Sequence, residues 1–365
     1  MNWMTRWPGA FPVFVASASG AEVTPTSTTA STPDLCLGDT GAMTGHSPPP
    51  TVAAVTGRLA SGITAMLPTE DAISVGEEMQ RRFGLRNWQF SLSATDANRF
   101  VIRSARQITG RSKVLVHNHC YHGTVDETFA TLIDGRVGER GGNIGAPVDP
   151  AETTRVVEIN DLGALERELA HGDVACVLVE PALTNIGIVL AEPGYHDGLR
   201  ELTRAAGTLL VIDETHTLCC GPGGYTAAHG LDPDFLTIGK AIGGGVPIGA
   251  YGFTEEVAER ILAHTDWDTA DVGGVGGTLA GNALSLAAAN ATLREVLTEA
   301  AFGHMIGLAE RFEAAVTETI AEHALPWSVT RLGCRVEYMF SPTPPRTGAE
   351  AAAALDPELD ALLHL

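Results

Sequence analysis

The chain has 365 residues, of which 44% are hydrophobic and 18% charged, so it can bury the core of one large domain or two smaller ones. Its formal net charge of −21 argues against nucleic acids and anionic membranes as partners. The chain contains no run of about 18 uninterrupted apolar residues, so we predict no membrane span. Its six cysteines are scattered without a repeated spacing, which is typical of a reduced, cytoplasmic protein.

The N-terminal region predicts a strand followed by a loop. Residues 1–21 imitate a signal peptide poorly, because Pro8 and Pro12 interrupt the short apolar part and Arg6 is the one basic residue. We therefore favour a β-strand over 11–17 that enters a globular domain. Residues 24–34 are rich in Ser, Thr and Pro and lack apolar alternation, which predicts a loop.

The middle of the chain alternates apolar runs with helical patterns. Continuous apolar strands separated by amphipathic helices predict a parallel sheet that is buried on both faces. The predicted elements, in chain order, are helices within 50–83, a strand over 88–93, a helix over 94–110, a strand from 113, a strand over 174–181, a helix over 194–207, and strands over 207–215 and 234–239.

The C-terminal part is helical over about 283–323, after which residues 327–341 read as a pair of strands. The last residues, 348–365, read as a helix that stops abruptly. No Cys/His cluster has the spacing of zinc ligands, so we expect no metal site.

Polar side chains follow the predicted strands where each strand ends. In open α/β sheets, ligands bind beyond the carboxyl ends of the strands, so these residues are candidates for one shared site. They are Ser93-Ala94-Thr95, Tyr121-His122, Glu180, Asp213 and Lys240.

Lys240 is unusual because the chain has only two lysines, Lys113 and Lys240, so that 23 − 2 = 21 of its basic residues are arginines. Arginine cannot lose its proton in a protein and cannot act as a nucleophile, whereas lysine can. Asp213 lies 240 − 213 = 27 residues earlier, at the end of a buried strand. A lysine and a buried acid on one rim indicate a Schiff-base cofactor, since pyridoxal phosphate needs an amine for its aldehyde and a carboxylate for its ring nitrogen.

The same edge of the sheet also carries residues that could bind the phosphate and the ring of that cofactor. Ala94 and Thr95 lie at the start of a predicted helix, where free backbone N–H groups and the helix dipole bind anions such as phosphate. Tyr121 can supply an aromatic face on which a flat ring stacks.

With these motifs, the sequence resembles the class III (fold type I) pyridoxal-phosphate-dependent aminotransferases, in the branch that includes glutamate-1-semialdehyde aminomutase. The resemblance covers roughly residues 35–290. Its motifs, in order, are "SATDA" at 93–97, "YHG" at 121–123, "EPALTNIG" at 180–187, "DET" at 213–215, "IGKAIGGG" around Lys240 and "GGTLAGN" at 276–282.

The resemblance implies a fold: an α/β fold type I transferase with a mostly parallel central sheet, helices on both faces and a smaller α+β domain that we expect to be truncated. It divides the chain into an N-terminal segment of the small domain (1–50), a large cofactor-binding domain (51–290) and a partial C-terminal small domain (291–365).

The resemblance also implies residue roles. Lys240 and Asp213 correspond to the catalytic residues, and Thr278 to a threonine that reaches the phosphate of a neighbouring subunit, which implies a homodimer with shared sites. For His122 a structural role stays equally open. The implied cofactor-binding residues are Ala94, Thr95, Tyr121, His122, Asn185, Asp213, Thr215, Lys240 and Thr278.

Several positions depart from the family pattern. Ala94 replaces a glycine, Asp96 a glutamate and Thr215 a valine, while "THTLCCGPGG" replaces Met-Thr-Gly-Phe-Arg and so lacks its arginine. Residues 24–34 stand where the family has an Asp-x-Asp-Gly hairpin. The residue that binds a substrate carboxylate is left open, because the offset of Arg6 matches poorly.

The leading functional hypothesis is the transfer of an amino group between an amino acid or amine and a keto acid. The alternatives are an intramolecular aminomutase of the glutamate-1-semialdehyde type and a truncated, inactive homologue. A dinucleotide-binding loop is disfavoured, because "GKAIGGGVPIG" is not GxGxxG and does not open a βαβ unit.

Overall fold

The computed structural model of the chain describes residues 13–264 and 274–363. The strands in this part are β1 Val15–Ser19, β2 Glu22–Pro25, β3 Thr32–Pro33, β4 Asn87–Ser91, β5 Lys113–His117, β6 Ala130–Ile133, β7 Arg136–Glu139, β8 Thr154–Val157, β9 Val174–Val179, β10 Leu209–Asp213, β11 Phe235–Ile238, β12 Gly249–Phe253, β13 Ser328–Leu332 and β14 Arg335–Met339. The α-helices are α1 Pro49–Leu59, α2 Glu70–Phe83, α3 Ala94–Thr109, α4 Pro150–Thr153, α5 Leu162–Leu169, α6 Tyr195–Ala206, α7 Gly224–His229, α8 Glu255–His264, α9 Ala283–Ala291, α10 Glu299–Glu322, α11 Gly348–Ala353 and α12 Pro357–Leu363.

A seven-stranded sheet in the order β4-β12-β11-β10-β9-β5-β8 forms the centre of the fold. The pairs β11-β10, β10-β9, β9-β5 and β5-β8 are parallel, and β12 alone runs against both of its neighbours. The predicted α/β class with a mostly parallel sheet is therefore confirmed.

Helices pack on both faces of this sheet. Successive side chains of each strand point to opposite faces, so a single strand can contribute to two apolar clusters. In β11, Phe235 packs into one apolar cluster, together with residues of α3, whereas Leu236 and Ile238 pack into a second cluster with residues of α2 and α9. All six residues of β9 are buried. A strand buried on both faces needs a continuous apolar run, which is the pattern that the sequence shows there.

This topology brings five strand ends to one edge. Since β4 and β11 both run against β12, β4 is parallel to β11, and the carboxyl ends of β4, β5, β9, β10 and β11 lie at the same edge of the sheet. The segments that follow these strands carry the polar residues singled out from the sequence.

The prediction of a loop over 24–34 is right for residues 26–31, which connect β2 to β3, and wrong for residues 24–25 and 32–33, which belong to these strands. Together with β1, β2 and β3 build a three-stranded antiparallel sheet. This sheet is exposed or partly exposed throughout, so its strands need no apolar alternation, and the sequence pattern could not indicate them. Of the predicted strand over 11–17, residues 11 and 12 lie outside the described residues.

The helix predicted over 283–323 is interrupted. A π-helical turn, Thr292–Val296, separates α9 from α10, and Thr298 caps α10 by accepting a hydrogen bond from the N–H of Ala301. The buried guanidinium of Arg82 donates to the carbonyl oxygens of Leu293 and Leu297 at 2.5 and 2.8 Å. A distant arginine thus satisfies carbonyl groups at the interruption, which no local sequence pattern can reveal.

The predicted strand pair over 327–341 is confirmed as β13 and β14, which are antiparallel. Gly333, in the turn between them, has φ of +59°, and a Cβ atom there would lie 2.2 Å from the carbonyl oxygen of Cys219. Only glycine fits this approach, which is fixed by a hydrogen bond from the N–H of Cys334 to the same oxygen at 3.0 Å. The hairpin therefore docks on the segment that follows β10.

The division of the chain at residues 50 and 290 stays a prediction. Within the described residues, no helix combines the length and apolar character needed to cross a membrane.

Candidate active site

Lys240 follows β11 at the edge where the strand ends meet. Its φ of +52° lies in the left-handed region, which is costly for a residue with a side chain. Its Nζ lies 2.7 Å from Oδ2 of Asp39 and 2.8 Å from Nε2 of His216. The side chain is 26% exposed, so the amine is accessible at the rim of the sheet.

Asp213, the last residue of β10, is buried, and all its hydrogen-bonding partners are fixed. Oδ2 accepts hydrogen bonds from Nδ2 of Asn98 and from Nδ1 of His122, both at 2.9 Å. Oδ1 accepts from the N–H of Thr215 at 3.0 Å. Asn98 is itself held by the hydroxyl of Thr237, which donates to Oδ1 of Asn98 at 2.7 Å. The carboxylate is thus held in one orientation at the end of its strand.

The electrostatics of this pair keep the carboxylate charged. Burial alone would raise the pKa of Asp213, but the hydrogen bond and the charge of His122 outweigh it and lower the pKa below its ordinary value. Burial also opposes a charge on His122, yet Cys120 and Asp213 raise the pKa of His122 well above its ordinary value. Both directions describe a buried His122–Asp213 ion pair.

The start of α3 lies at the same edge of the sheet and presents its first backbone N–H groups there. Ser93 caps the helix by accepting from the N–H of Asp96 at 3.2 Å, so Ala94 and Thr95 are the first residues of a 16-residue helix. Gly123, with φ of +80°, closes on Thr95: a Cβ at Gly123 would lie 2.0 Å from Oγ1 of Thr95. A Cβ at Gly239 would lie 3.0 Å from the backbone nitrogen of Ala94. The residues before Lys240 and after Tyr121 therefore both pack against this helix start.

Tyr121 is oriented through its backbone. Its N–H donates to Oε1 of the buried Glu180 at 3.1 Å, and Glu180 is held in turn by the N–H and the hydroxyl of Thr184. The guanidinium of Arg140 lies 6.0 Å from the centroid of the Tyr121 ring.

The remaining predicted residues are spread more widely. Thr215 is buried directly after Asp213 and Glu214, and its Oγ1 has no hydrogen-bond partner among the described residues. Asn185 is exposed in the segment after β9, and Thr278 is exposed in the loop before α9. The structure thus brings Lys240 to the edge that holds Asp213 and the helix start, while Asn185 and Thr278 lie at exposed positions.

The family model described as "Aminotransferase class-III" matches residues 4–339 of the chain. The chain belongs to the class III aminotransferase family. Pyridoxal phosphate is the cofactor of this family, so the predicted family and cofactor are confirmed.

Individual members of the class III family show how similar the chain is to known proteins in sequence and in structure. A glutamate-1-semialdehyde aminomutase from Pseudomonas aeruginosa PAO1 is 50% identical, with a TM-score of 0.96 over all of this chain and 81% of that one; a variant of it is known in complex with PMP. An omega-transaminase from Sphaerobacter thermophilus is 28% identical, with a TM-score of 0.84 over 96% of this chain and 80% of that one. A glutamate-1-semialdehyde 2,1-aminomutase from Anaeromyxobacter sp. (strain Fw109-5) is 33% identical over 88% of this chain and 74% of its own length.

The residues present fit the class III cofactor. The helix start can take a phosphate, the charged Asp213 can take a protonated ring nitrogen, and the unpartnered hydroxyl of Thr215 lies next to Asp213. Nε2 of His122 has no partner among the described residues either, so the buried pair retains an unused polar atom at this edge.

Sequence reasoning missed four residues of this site: Asp39, Asn98, His216 and Arg335. Asn98 lies one turn inside α3 and reads as an ordinary helix residue, while Asp39 lies in an irregular loop. His216 was visible as a departure from the class III motif, which was the one available signal. Arg6, considered for a substrate carboxylate, lies outside the described residues.

Proposed function

We propose that this class III enzyme transfers an amino group from an amino acid or amine to a keto acid, using Lys240 and Asp213. The observation that supports this most is a charged Asp213 whose Oδ2 accepts two hydrogen bonds and whose Oδ1 accepts one, so that Oδ1 can accept another, at the sheet edge that also holds the partly exposed Lys240 side chain. Pyridoxal phosphate, when bound, supplies an aldehyde and an electron-withdrawing ring that stabilises negative charge on a substrate carbon.

Lys240 has two tasks in this proposal. Its neutral amine would hold the cofactor aldehyde, and after substrate has taken that place, Nζ would move a proton between neighbouring carbon positions. Access favours this role, since the side chain is 26% exposed while its Nζ keeps polar contacts to Asp39 and His216.

The other residues bind and orient. Asp213 would accept a hydrogen bond from the protonated ring nitrogen, and Ala94 and Thr95 would bind the phosphate with their N–H groups. Tyr121 and Thr215 would lie against the two ring faces, with Asn185 near the ring hydroxyl. His122 would act as a positioning residue, because it holds Asp213 charged and shields it from water.

An intramolecular aminomutase is the second candidate, favoured by the printed names of the relatives at 33% and 50% identity. The two activities differ in their need for an acceptor. An aminomutase converts glutamate 1-semialdehyde, alone, into the isomer whose amino group has moved from carbon 2 to carbon 1. A transaminase with an amino acid donor makes new amine only when a keto acid is supplied.

A product assay separates the two candidates. Purified protein with pyridoxal phosphate is incubated with glutamate 1-semialdehyde alone, and separately with alanine or glutamate plus a keto acid, and the products are identified by mass spectrometry. We expect amine formation that depends on the keto acid. Isomerisation without an acceptor would instead establish the aminomutase, and no product in either arm with cofactor bound would favour an inactive homologue.

We also propose a homodimer whose sites are shared. Thr278 is exposed at the glycine-rich turn before α9, and exposed backbone N–H groups in such a turn can bind an anion. In this arrangement Thr278 would contact the phosphate bound by the partner subunit. Sedimentation velocity should show a dimer, and this dimer should bind the cofactor. The Thr278→Val variant should bind the cofactor more weakly but should remain a dimer. A monomer that never binds cofactor would contradict both the dimer and the shared site.

A further inference from the structure

Two side chains contact the amine of Lys240: the carboxylate of Asp39 and the imidazole of His216. Asp39, whose side chain is 69% exposed, presents Oδ2 to Nζ at 2.7 Å, and a carboxylate favours the ammonium form. His216 presents Nε2 to the same Nζ at 2.8 Å. An imidazole nitrogen either accepts from an ammonium or, when it carries the ring proton, donates to the lone pair of a neutral amine.

The other ring nitrogen of His216 also has two partners. Nη1 of Arg335 lies 3.3 Å from Nδ1, and Oγ1 of Thr40 lies 3.2 Å from it. The hydroxyl of Thr40 donates to the carbonyl oxygen of Asp39 at 2.6 Å, so its oxygen is left to accept from Nδ1–H. Arg335 can only donate, because a guanidinium has no acceptor, and it therefore requires an Nδ1 without a proton.

Each partner thus selects one tautomer. Thr40 favours the proton on Nδ1, which leaves Nε2 to accept from an ammonium on Lys240. Arg335 favours the proton on Nε2, which directs an N–H at Nζ and matches a neutral amine. The tautomer of His216 and the protonation of Lys240 are therefore linked by hydrogen-bond complementarity.

The guanidinium of Arg335 is held in a fixed orientation that favours the His216 tautomer with the proton on Nε2. Nε donates to Glu337 at 2.6 Å and Nη2 donates to the carbonyl oxygen of Thr184 at 2.9 Å, which fixes the guanidinium with Nη1 towards His216. The docked hairpin of β13 and β14 carries Arg335 next to Cys334, whose N–H is bonded to Cys219. The orientation is set by the fold rather than by a free side chain.

We propose that Arg335 acts on Lys240 through His216: it holds the imidazole proton on Nε2 and so favours the neutral, nucleophilic amine, whereas Asp39 and Thr40 favour the ammonium. His216 and Arg335 are then positioning residues of the amine. The proposal rests on the proposed role of Lys240 and explains why a histidine stands where the family pattern has methionine.

The charges around the imidazole agree with this geometry. Burial, and then the charges of Lys240 and Arg335, lower the pKa of His216 to about 4, against the smaller opposite effects of Asp39 and Asp213. The ring is therefore neutral near pH 7, with one proton to place. Glu337 balances Arg335 but lies on its far side, bonded to Nε.

Reductive methylation tests the proposal without the cofactor. The full cofactor-free chain is treated briefly with formaldehyde and cyanoborohydride at a series of pH values, and methylation of the two lysines is quantified by peptide mass spectrometry. Only a neutral amine adds to the aldehyde, with loss of water, and cyanoborohydride then reduces the product. Lys113 is an internal reference in every sample.

The expected pattern uses two opposite substitutions. Arg335→Met should move the pH midpoint for labelling Lys240 upward by about one unit, a tenfold loss of amine at a given pH, and Asp39→Asn should move it downward. In a His216→Met background, the Arg335→Met shift should shrink to less than half, whereas the Asp39→Asn shift should persist because Asp39 contacts Nζ directly. Arg331→Met, in the neighbouring strand, is the matched control and should move nothing.

An unchanged midpoint in Arg335→Met, or an equal shift with and without His216, would overturn the proposal, since the second result means that the charge acts directly through space. Circular dichroism checks folding, and Arg335→Ala gives the same reading if the methionine variant does not fold. Nitrogen chemical shifts of His216 should show the proton on Nε2 in the wild type and on Nδ1 in Arg335→Met. Failure of the proposed function is distinct, because it would appear as wild-type protein that does not bind pyridoxal phosphate.

Discussion

We expect that replacing Lys240 with alanine will abolish covalent attachment of the cofactor and reduce amino transfer to background. No other described lysine lies at the sheet edge, and arginine cannot substitute as a nucleophile. The phosphate and ring-nitrogen contacts do not involve Nζ, so cofactor should still bind, but reversibly and without the absorbance of the attached form. Measurement of turnover and of cofactor retained after gel filtration checks both parts.

Lys113→Ala is the matched control for this result. Lys113 is the first residue of β5, at the amino end of the strand and so at the opposite edge of the sheet from Lys240, and its Nζ donates to the carbonyl oxygen of Ala151 at 2.6 Å. Its loss should leave cofactor attachment and turnover unchanged. A Lys240→Ala enzyme with substantial turnover would remove Lys240 from the chemistry.

We expect the Asp213→Asn variant to bind the cofactor but to be nearly inactive. An amide cannot keep the ring nitrogen protonated, so the ring no longer withdraws electrons, and we expect a loss of at least ~3 kcal/mol of transition-state stabilisation, or roughly a hundredfold in turnover. The measurement is kcat at saturating cofactor, with bound cofactor quantified in the same samples.

Asp234→Asn is the control for Asp213→Asn, because Asp234 also flanks a central strand but lies at the opposite edge, paired with Arg200 at 2.7 and 2.9 Å. It should affect stability more than turnover. Near wild-type turnover in Asp213→Asn would exclude the carboxylate from the mechanism.

The inner strands β5, β9, β10 and β11 were predictable because they are buried on both faces, whereas β8 and β12 were not predicted. Continuous apolar runs such as Val174–Val179 leave few alternatives, and polar residues at their ends predict one rim. The strands β2 and β3 were missed because they are exposed or partly exposed, and the break between α9 and α10 because it depends on Arg82, about 210 residues away in sequence. Long-range hydrogen bonds leave no local pattern.

The site divides in the same way. Lys240 and Asp213 could be proposed from residue type and strand position, and their motif fixed the family. The residues that surround them could not be predicted, because Asn98, Asp39 and Arg335 come from a helix, an irregular loop and a distant hairpin. Only folding brings Arg335 within 3.3 Å of His216 and His216 within 2.8 Å of Lys240.

The most direct test of the central role of Lys240 is an absorbance spectrum combined with peptide mapping. Purified wild-type protein with pyridoxal phosphate should show a band at about 400–430 nm that disappears on adding borohydride, which reduces the linkage and fixes the cofactor on the lysine. After proteolysis, the added mass should lie on the peptide that contains Lys240. The absence of the band, or the added mass on Lys113, would contradict the account.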